Sequence, residues 1–284
     1  MSVQKFNDAA GNLERVVLSG PKESSVEIYM YGATVTSWKS QGHERLFVSK
    51  QAKLDGTKAI RGGIPLVFPQ FGPGALPQHG FARTRPWTFV GASEHGEGIA
   101  ATFELTDNEE TRASAWPFRF ILSYTVDITA TTLSTIIKYE NTDTKEFDFT
   151  SLMHTYFRVP DIAHTTVTGL ESTTYVDKIK SVTAQESRTE IAVDANEDRV
   201  YEDVPGIVGV RCGGETISIR RFNFKDIVLW NPWAEKAREM SDFGDDEYTQ
   251  MICVEAGTVA SKISLRPGQT ISCGQLLALE KDTN

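Results

Sequence analysis

The chain has 284 residues, of which 40% are hydrophobic and 24% charged, the composition of an ordinary globular protein and not of a disordered or fibrous one. Its 29 Lys and Arg against 38 Asp and Glu leave a net charge of -9, a field of the wrong sign for a nucleic-acid partner. The longest apolar runs, such as Ile64-Pro65-Leu66-Val67-Phe68, fall far short of the roughly 18 residues that cross a bilayer, so no membrane partner is expected.

Along the chain the dominant period is two. Val26-Glu27-Ile28-Tyr29-Met30 alternates, and 31–38 follows as a second extended stretch with Gly32 where the ladder is expected to bend. A strand is expected at 99–105. Another spans 118–128, where the six apolar residues Phe118, Phe120, Leu122, Tyr124, Val126 and Ile128 share one face, and 133–139 returns as the other arm of a hairpin. Further strands are expected at 146–152, 217–221, 227–230, 251–255 and 271–279. Arg266-Pro267-Gly268-Gln269 has type II turn chemistry, with Pro at the second position and Gly at the third. Helix signals are few. Asn108 caps a segment opened by Glu109 and Glu110 and closed before Pro117, and 234–240 holds one or two turns. No repeat, heptad or low-complexity linker interrupts the pattern, so residues 1–284 read as one large antiparallel β domain.

Residues 1–12 are mostly polar and lack a secretory signal pattern. Cys212, Cys253 and Cys273 lie far apart with no Cys-x-x-Cys pair, which argues against a disulfide scaffold or a zinc ribbon and for a reducing, cytosolic compartment.

Three places hold residue types suited to chemistry. The stretch 61–85 contains Arg61-Gly62-Gly63-Ile64-Pro65 and Pro77-Gln78-His79-Gly80-Phe81-Ala82-Arg83-Thr84-Arg85. Glycines beside arginine let backbone N–H groups approach an anion, and guanidinium forks onto phosphate or carboxylate. A Gly/Pro-rich structural loop with solvated arginines fits the same residues. His154 follows a strand among apolar and aromatic neighbours, where it serves either as a satisfied core residue or as a general acid. Glu255 shares a strand face with Met251 and Cys253, and Ala256-Gly257 is expected to end that strand. The carboxylate then sits at an exposed strand end, or is buried with a partner and raised in pKa toward a general base. His43, His79, His95, His154 and His164 form no close ligand pair, although His154 and His164 can meet through folding. No nucleophile elbow, Walker loop or dinucleotide fingerprint occurs, so neither metal nor cofactor is expected.

Five segments stand in a telling order: Arg61-Gly62-Gly63-Ile64-Pro65, Gln78-His79-Gly80-Phe81-Ala82-Arg83, His154-Thr155-Tyr156-Phe157, Trp230-Asn231-Pro232-Trp233 and Cys253-Val254-Glu255-Ala256-Gly257. Together they resemble the glucose-6-phosphate 1-epimerases, or hexose-6-phosphate mutarotases, a branch of the aldose 1-epimerase superfamily. The resemblance runs from Val26 to Leu279. It implies an all-β, galactose mutarotase-like β-supersandwich of large antiparallel sheets with few short helices. It also implies a cofactor-free isomerase that interconverts the anomers of a hexose 6-phosphate, with that small molecule as partner and a monomer as default. In such a protein His154 and Glu255 are the catalytic pair, and Arg61, Gln78 and Arg83 bind substrate. Asp198, before Arg199-Val200-Tyr201, contacts the sugar, and His79 is a second-rank site residue. Arg85 falls outside the firm set. Trp38, Trp230, Trp233 and Phe71 offer aromatic faces for the sugar's C–H groups. Two other functions remain open on residue types: a carbohydrate-binding β-sandwich with no turnover, and a glycoside hydrolase, which needs a second carboxylate about 5–9.5 Å from Glu255. An epimerase of unphosphorylated aldoses is the alternative within the same chemistry.

Overall fold

Alternating apolar and polar side chains place most of the chain in antiparallel β-sheet in the computed structural model, which describes residues 1–281. Five strands from Ser2–Asn7 to His43–Glu44 pair in chain order as an N-terminal meander. Gly32, at φ 75°, separates Ser25–Tyr29 from Thr34–Ser40 instead of bending one strand. Its N–H donates to the Arg85 carbonyl at 2.7 Å, so the chain leaves the ladder there to meet the 85–86 segment.

The expected hairpin is the spine of a nine-stranded sheet. Phe120–Ile128 pairs with Thr132–Asn141, with Gly98–Thr106 on one side and Thr270–Lys281 on the other. Leu122, Tyr124 and Val126 point inward and are fully buried. The Arg266–Gln269 turn closes as expected, with Gly268 at φ 74° and the Gln269 N–H on the Arg266 carbonyl at 3.0 Å. Helix is scarce: a single turn, Glu109–Arg112, capped by the Asn108 side chain, and Trp233–Arg238.

An eight-stranded sheet carries the candidate residues Asp198 and Glu255, with His154 between two of its strands. Asp226–Asn231 and Phe147–Met153 flank the long strand Met251–Leu265, and after a break at His154-Thr155 the short strand Tyr156–Arg158 continues in line with Phe147–Met153, pairing with the same long strand. Met251–Leu265 runs straight through Ala256-Gly257, contrary to the expectation that it ends there. At Gly257 an added Cβ would lie 2.6 Å from the Leu152 Cβ and 2.7 Å from the Ser151 carbonyl, so glycine lets the neighbouring strand close in. It continues the ladder.

The two large sheets face one another across the core. Ile227, Leu229, Val254, Ala256 and Met153 from one sheet join Tyr124, Val126, Ile219 and Leu277 from the other. Polar ties cross the same gap: Tyr139 to Ser151 at 2.6 Å, and the Gln275 amide to the Thr155 hydroxyl at 2.9 Å. Because strand residues alternate in direction, the other face of the eight-stranded sheet, with Val228, Trp230, Cys253 and Glu255, is left to line something else. Among the described residues no helix is long and apolar enough to cross a membrane.

Candidate active site

That second face is the floor of a cleft of about 300 Å³, lined among others by His154, Asp198, Trp230 and Glu255. Register explains why His154 and Glu255 meet. Met153 pairs with Ala256 and Tyr156 with Cys253, so the same register carried across the break sets His154 opposite Glu255. His154 turns its backbone N–H to the Pro65 carbonyl at 3.0 Å, and the Gln275 bond holds Thr155 down into the core. The His154 ring is thereby directed up, stacked on Tyr156 at 4.7 Å with a 10° interplanar angle. Its Nδ1 lies 3.2 Å from Glu255 Oε1. The contact is out of line for a hydrogen bond, and His154 Nδ1 and Glu255 Oε2 are both buried without a hydrogen-bond partner.

Glu255 is therefore not at an exposed strand end; it is 1% exposed in mid-strand, and His154 is 8% exposed. Burial drives both groups toward their neutral forms. It raises the Glu255 carboxyl well above its ordinary range, with Asp198 adding to the shift. It lowers His154 well below its own, with His79, Arg83 and Arg61 adding to that. Burial thus favours, for the pair as a unit, the proton on the carboxyl and a neutral ring.

The 61–85 segment forms one wall. Its glycines serve packing and do not cradle an anion. Gly63, at φ 68°, lies where a Cβ would sit 2.0 Å from the Val35 carbonyl oxygen, and its N–H donates to Phe47. The side chains face the cleft. His79 accepts a hydrogen bond on Nδ1 from the Gly72 N–H at 3.2 Å, and burial first, then Arg83, Lys178 and Arg61, push it down to about 3. It is a neutral ring carrying its proton on Nε2, beside the Gln78 amide at 3.4 Å.

The arginines differ sharply. Arg61 grips Asp242 with Nε and Nη2, both at 3.3 Å, and donates from Nη1 to the Tyr156 hydroxyl at 3.2 Å. Burial opposes its charge, but Tyr156 and Asp242 outweigh that and leave its pKa raised. Arg83 has no carboxylate partner among the described residues. Its Nη2 donates to the Gln78 carbonyl at 2.8 Å, its Nε is buried without a partner, and burial pushes its pKa down to about 10. Arg83 lines a second recess of about 480 Å³ that shares Arg61, Gln78 and Met240 with the main cleft, and Lys58 lines it too. Arg85 pairs with Glu110 and lines neither space.

On the opposite wall Asp198 pairs with Trp230 across neighbouring strands, and alternation turns Glu197 and Arg199 away into a buried ionic cluster. Burial raises the Asp198 carboxyl, partly offset by Lys178, whose Nζ stands 3.7 Å from it and 4.7 Å from the centre of the Phe71 ring. Lys178, Lys236, Tyr156 and Asp242 escaped the sequence reading, because nothing in their local pattern marks them. Of the aromatic candidates, Phe71 and Trp230 line the cleft; Trp38 is fully buried in the core and Trp233 packs against Tyr248.

The cleft thus joins the buried His154–Glu255 pair to the adjoining Arg83, which has no carboxylate partner among the described residues, on two facing antiparallel sheets. A family model described as aldose 1-epimerase matches residues 14–277. The chain belongs to the aldose 1-epimerase family. Within this family, a relative from Cenchrus ciliaris, provisionally named glucose-6-phosphate 1-epimerase, is 39% identical over 272 residues, covering 90% of this chain and 82% of the relative. A relative of the same provisional name from Escherichia coli is 34% identical, covering 86% of this chain and 82% of that protein. A crystal structure from Salmonella typhimurium, described provisionally as a mutarotase, superposes with a TM-score of 0.88 at 28% identity, covering 99% of this chain and 97% of that one. A galactose mutarotase-like structure from Clostridium acetobutylicum, at 15% identity and a TM-score of 0.78, shares the fold. The expected all-β mutarotase-like architecture is the observed one.

Proposed function

We propose that the protein is a hexose-6-phosphate mutarotase, an isomerase that opens and recloses the pyranose ring of glucose 6-phosphate and related sugars. The observation that carries this is the buried His154–Glu255 pair at 3.2 Å, in a cleft that continues into a recess holding the unpaired Arg83. Ring opening removes the proton from the anomeric hydroxyl O1 and delivers one to the ring oxygen O5. Glu255 takes the O1 proton and His154 protonates O5; the aldehyde turns about C1–C2, and on closure the two residues reverse roles. Trp230 and Phe71 present apolar faces to the ring. Asp198, Gln78 and His79 supply hydrogen bonds to hydroxyls, His79 as an Nε2–H donor. Arg83 and Arg61 face the 6-phosphate from the adjoining recess.

A carbohydrate-binding module gains nothing from a buried, hydrogen-bond-starved acid–base pair. A glycoside hydrolase works with two carboxyls across the scissile bond; here the partner 3.2 Å from Glu255 is a histidine, and the cleft's second carboxylate, Asp198, is paired with Lys178. On the chain's net charge and expected location, we further propose that it works as a monomer in the cytosol, as one mutarotase unit over residues 1–284, without nucleic acid, membrane or cofactor. The decisive experiment is anomer exchange of glucose 6-phosphate followed by magnetisation-transfer NMR. Exchange accelerated by the native protein and abolished in Glu255→Gln supports the reading; exchange unchanged from buffer defeats it.

A further inference from the structure

We propose that His154, Cys253 and Glu255 form a binding site for one thiophilic divalent cation, of the zinc, cadmium or cobalt(II) class, and that its occupation switches the enzyme off. The proposal rests on the acid–base reading for its consequence but not for the binding itself. The three residues are far apart in sequence, which is why no spacing motif announces them. The Met251–Leu265 strand places Cys253 and Glu255 on the same face, and the strand pairing brings His154 opposite. One donor atom from each, the His154 imidazole nitrogen, the Cys253 sulfur and a Glu255 oxygen, all lie within 4.8 Å of one another.

Two observations point to a ligand beyond mere proximity. His154 Nδ1 and Glu255 Oε2 are buried polar atoms with no hydrogen-bond partner, and their residues are 8% and 1% exposed. The 3.2 Å between His154 Nδ1 and Glu255 Oε1 is too bent for a hydrogen bond. It matches the edge of a tetrahedral zinc site, where bonds of about 2.0–2.1 Å put two ligand atoms about 3.3 Å apart. A cation entering from the cleft would meet His154 and Glu255 first and then the sulfur beneath them, with water or a sugar oxygen as fourth ligand. The Cys253 thiol and the Glu255 carboxyl each give a proton to solvent as the metal bonds form, and no oxidation or reduction is involved. One thiolate, one imidazole and a single carboxylate suit a borderline-soft ion; magnesium and calcium, which require several oxygens, fit poorly. Bound metal consumes the lone pairs of both the base at O1 and the acid at O5, so it inhibits.

Cobalt(II) titrated into metal-free native protein is expected to give one equivalent of binding with a sulfur-to-cobalt charge-transfer band, displaced by zinc. The band should vanish in Cys253→Ser, in Cys253→Ala and in His154→Gln, and persist in Cys212→Ser. Zinc affinity should fall at least about 100-fold in Cys253→Ser, no less than the loss of an outer-shell partner causes. That variant should keep exchanging glucose 6-phosphate at zinc concentrations that silence the native protein. No sulfur band, or a band undiminished by the Cys253 and His154 variants, overturns the metal site and leaves the mutarotase reading standing. Absence of exchange activity in metal-free native protein overturns the mutarotase reading, and the cobalt spectrum still decides the metal site.

Discussion

Arg61 and Arg83 look equivalent in the sequence, and the structure predicts that they fail differently. Arg61 is already engaged by Asp242 and by Tyr156, and Tyr156 in turn stacks on His154. Arg83 has no carboxylate to neutralise it. Arg83→Gln removes the proposed anion anchor, together with one hydrogen bond to the Gln78 carbonyl and part of the field that depresses His154. A charge-assisted hydrogen bond contributes about 1.5–3 kcal/mol, so kcat/KM for glucose 6-phosphate should fall roughly 10–150-fold, while that for free glucose should not fall. Arg61→Ala leaves Asp242 and the Tyr156 hydroxyl unpaired. Breaking a buried pair costs about 3–5 kcal/mol, but the Arg61 side chain is 26% exposed and screening reduces this to about 1–2 kcal/mol of stability. The loosened Tyr156 should also let the His154 ring wander, so Arg61→Ala lowers turnover of both sugars. The assay is magnetisation-transfer exchange on glucose and glucose 6-phosphate for the native protein and both variants. An Arg83→Gln variant that loses both sugars alike, or an Arg61→Ala variant that loses only the phosphorylated one, refutes the division of labour.

Three other outcomes are expected. Glu255→Gln and His154→Ala should each lower kcat about 10²–10⁴-fold, and the double variant little further, because the two residues act as a unit; near-native single variants would assign the chemistry elsewhere. The one-proton form of the pair is the active form, and with His154 lowered it gains a second proton only well below the usual histidine value of about 6.5. The kcat plateau should therefore extend to the acid side of pH 6.5, whereas an acid limb centred above it contradicts the assignment. Finally, a buried carboxyl whose folded pKa is raised costs the fold progressively more as pH rises above its unfolded value of about 4.3. The denaturation midpoint of Glu255→Gln relative to native should rise from pH 5 to pH 8; a constant difference would mean that Glu255 ionises without penalty.

What the sequence made legible follows from period and length. The hairpin at 120–141 announces itself because two long stretches alternate strictly and a short polar turn joins them. Leu66–Val67 and Tyr156–Arg158 are too short to show a period, yet they hold the loop and the ring stack that build the cleft. The continuation of Met251–Leu265 through Gly257 is invisible locally, since a glycine that ends a strand and one that admits a neighbour look the same until the neighbour is placed. His154 and Glu255 could be picked out as residue types. Their encounter is a matter of register between distant strands, and so is the pairing of Arg61 with Asp242, which only the fold reveals.

Burial gives the pair a direction. In the proposed mechanism ring opening gives Glu255 the O1 proton and takes one from His154 to O5, so the charged couple becomes carboxylic acid and neutral imidazole. That is the state the dry cleft favours in both residues. Desolvation therefore works against the charged couple that faces the closed sugar and for the neutral couple that faces the open aldehyde. A phosphate beside Arg83 and Arg61 cancels part of the positive field that depresses His154, making the charged couple more accessible when the correct substrate is bound. Free glucose brings no such charge. Phosphate specificity on this account resides in kcat as well as in KM, and Arg83 acts on the acid–base pair through the anion it holds. Because ring opening also proceeds unaided in water, a modest bias of this kind, held in place by a mid-strand base and a stacked histidine, is enough.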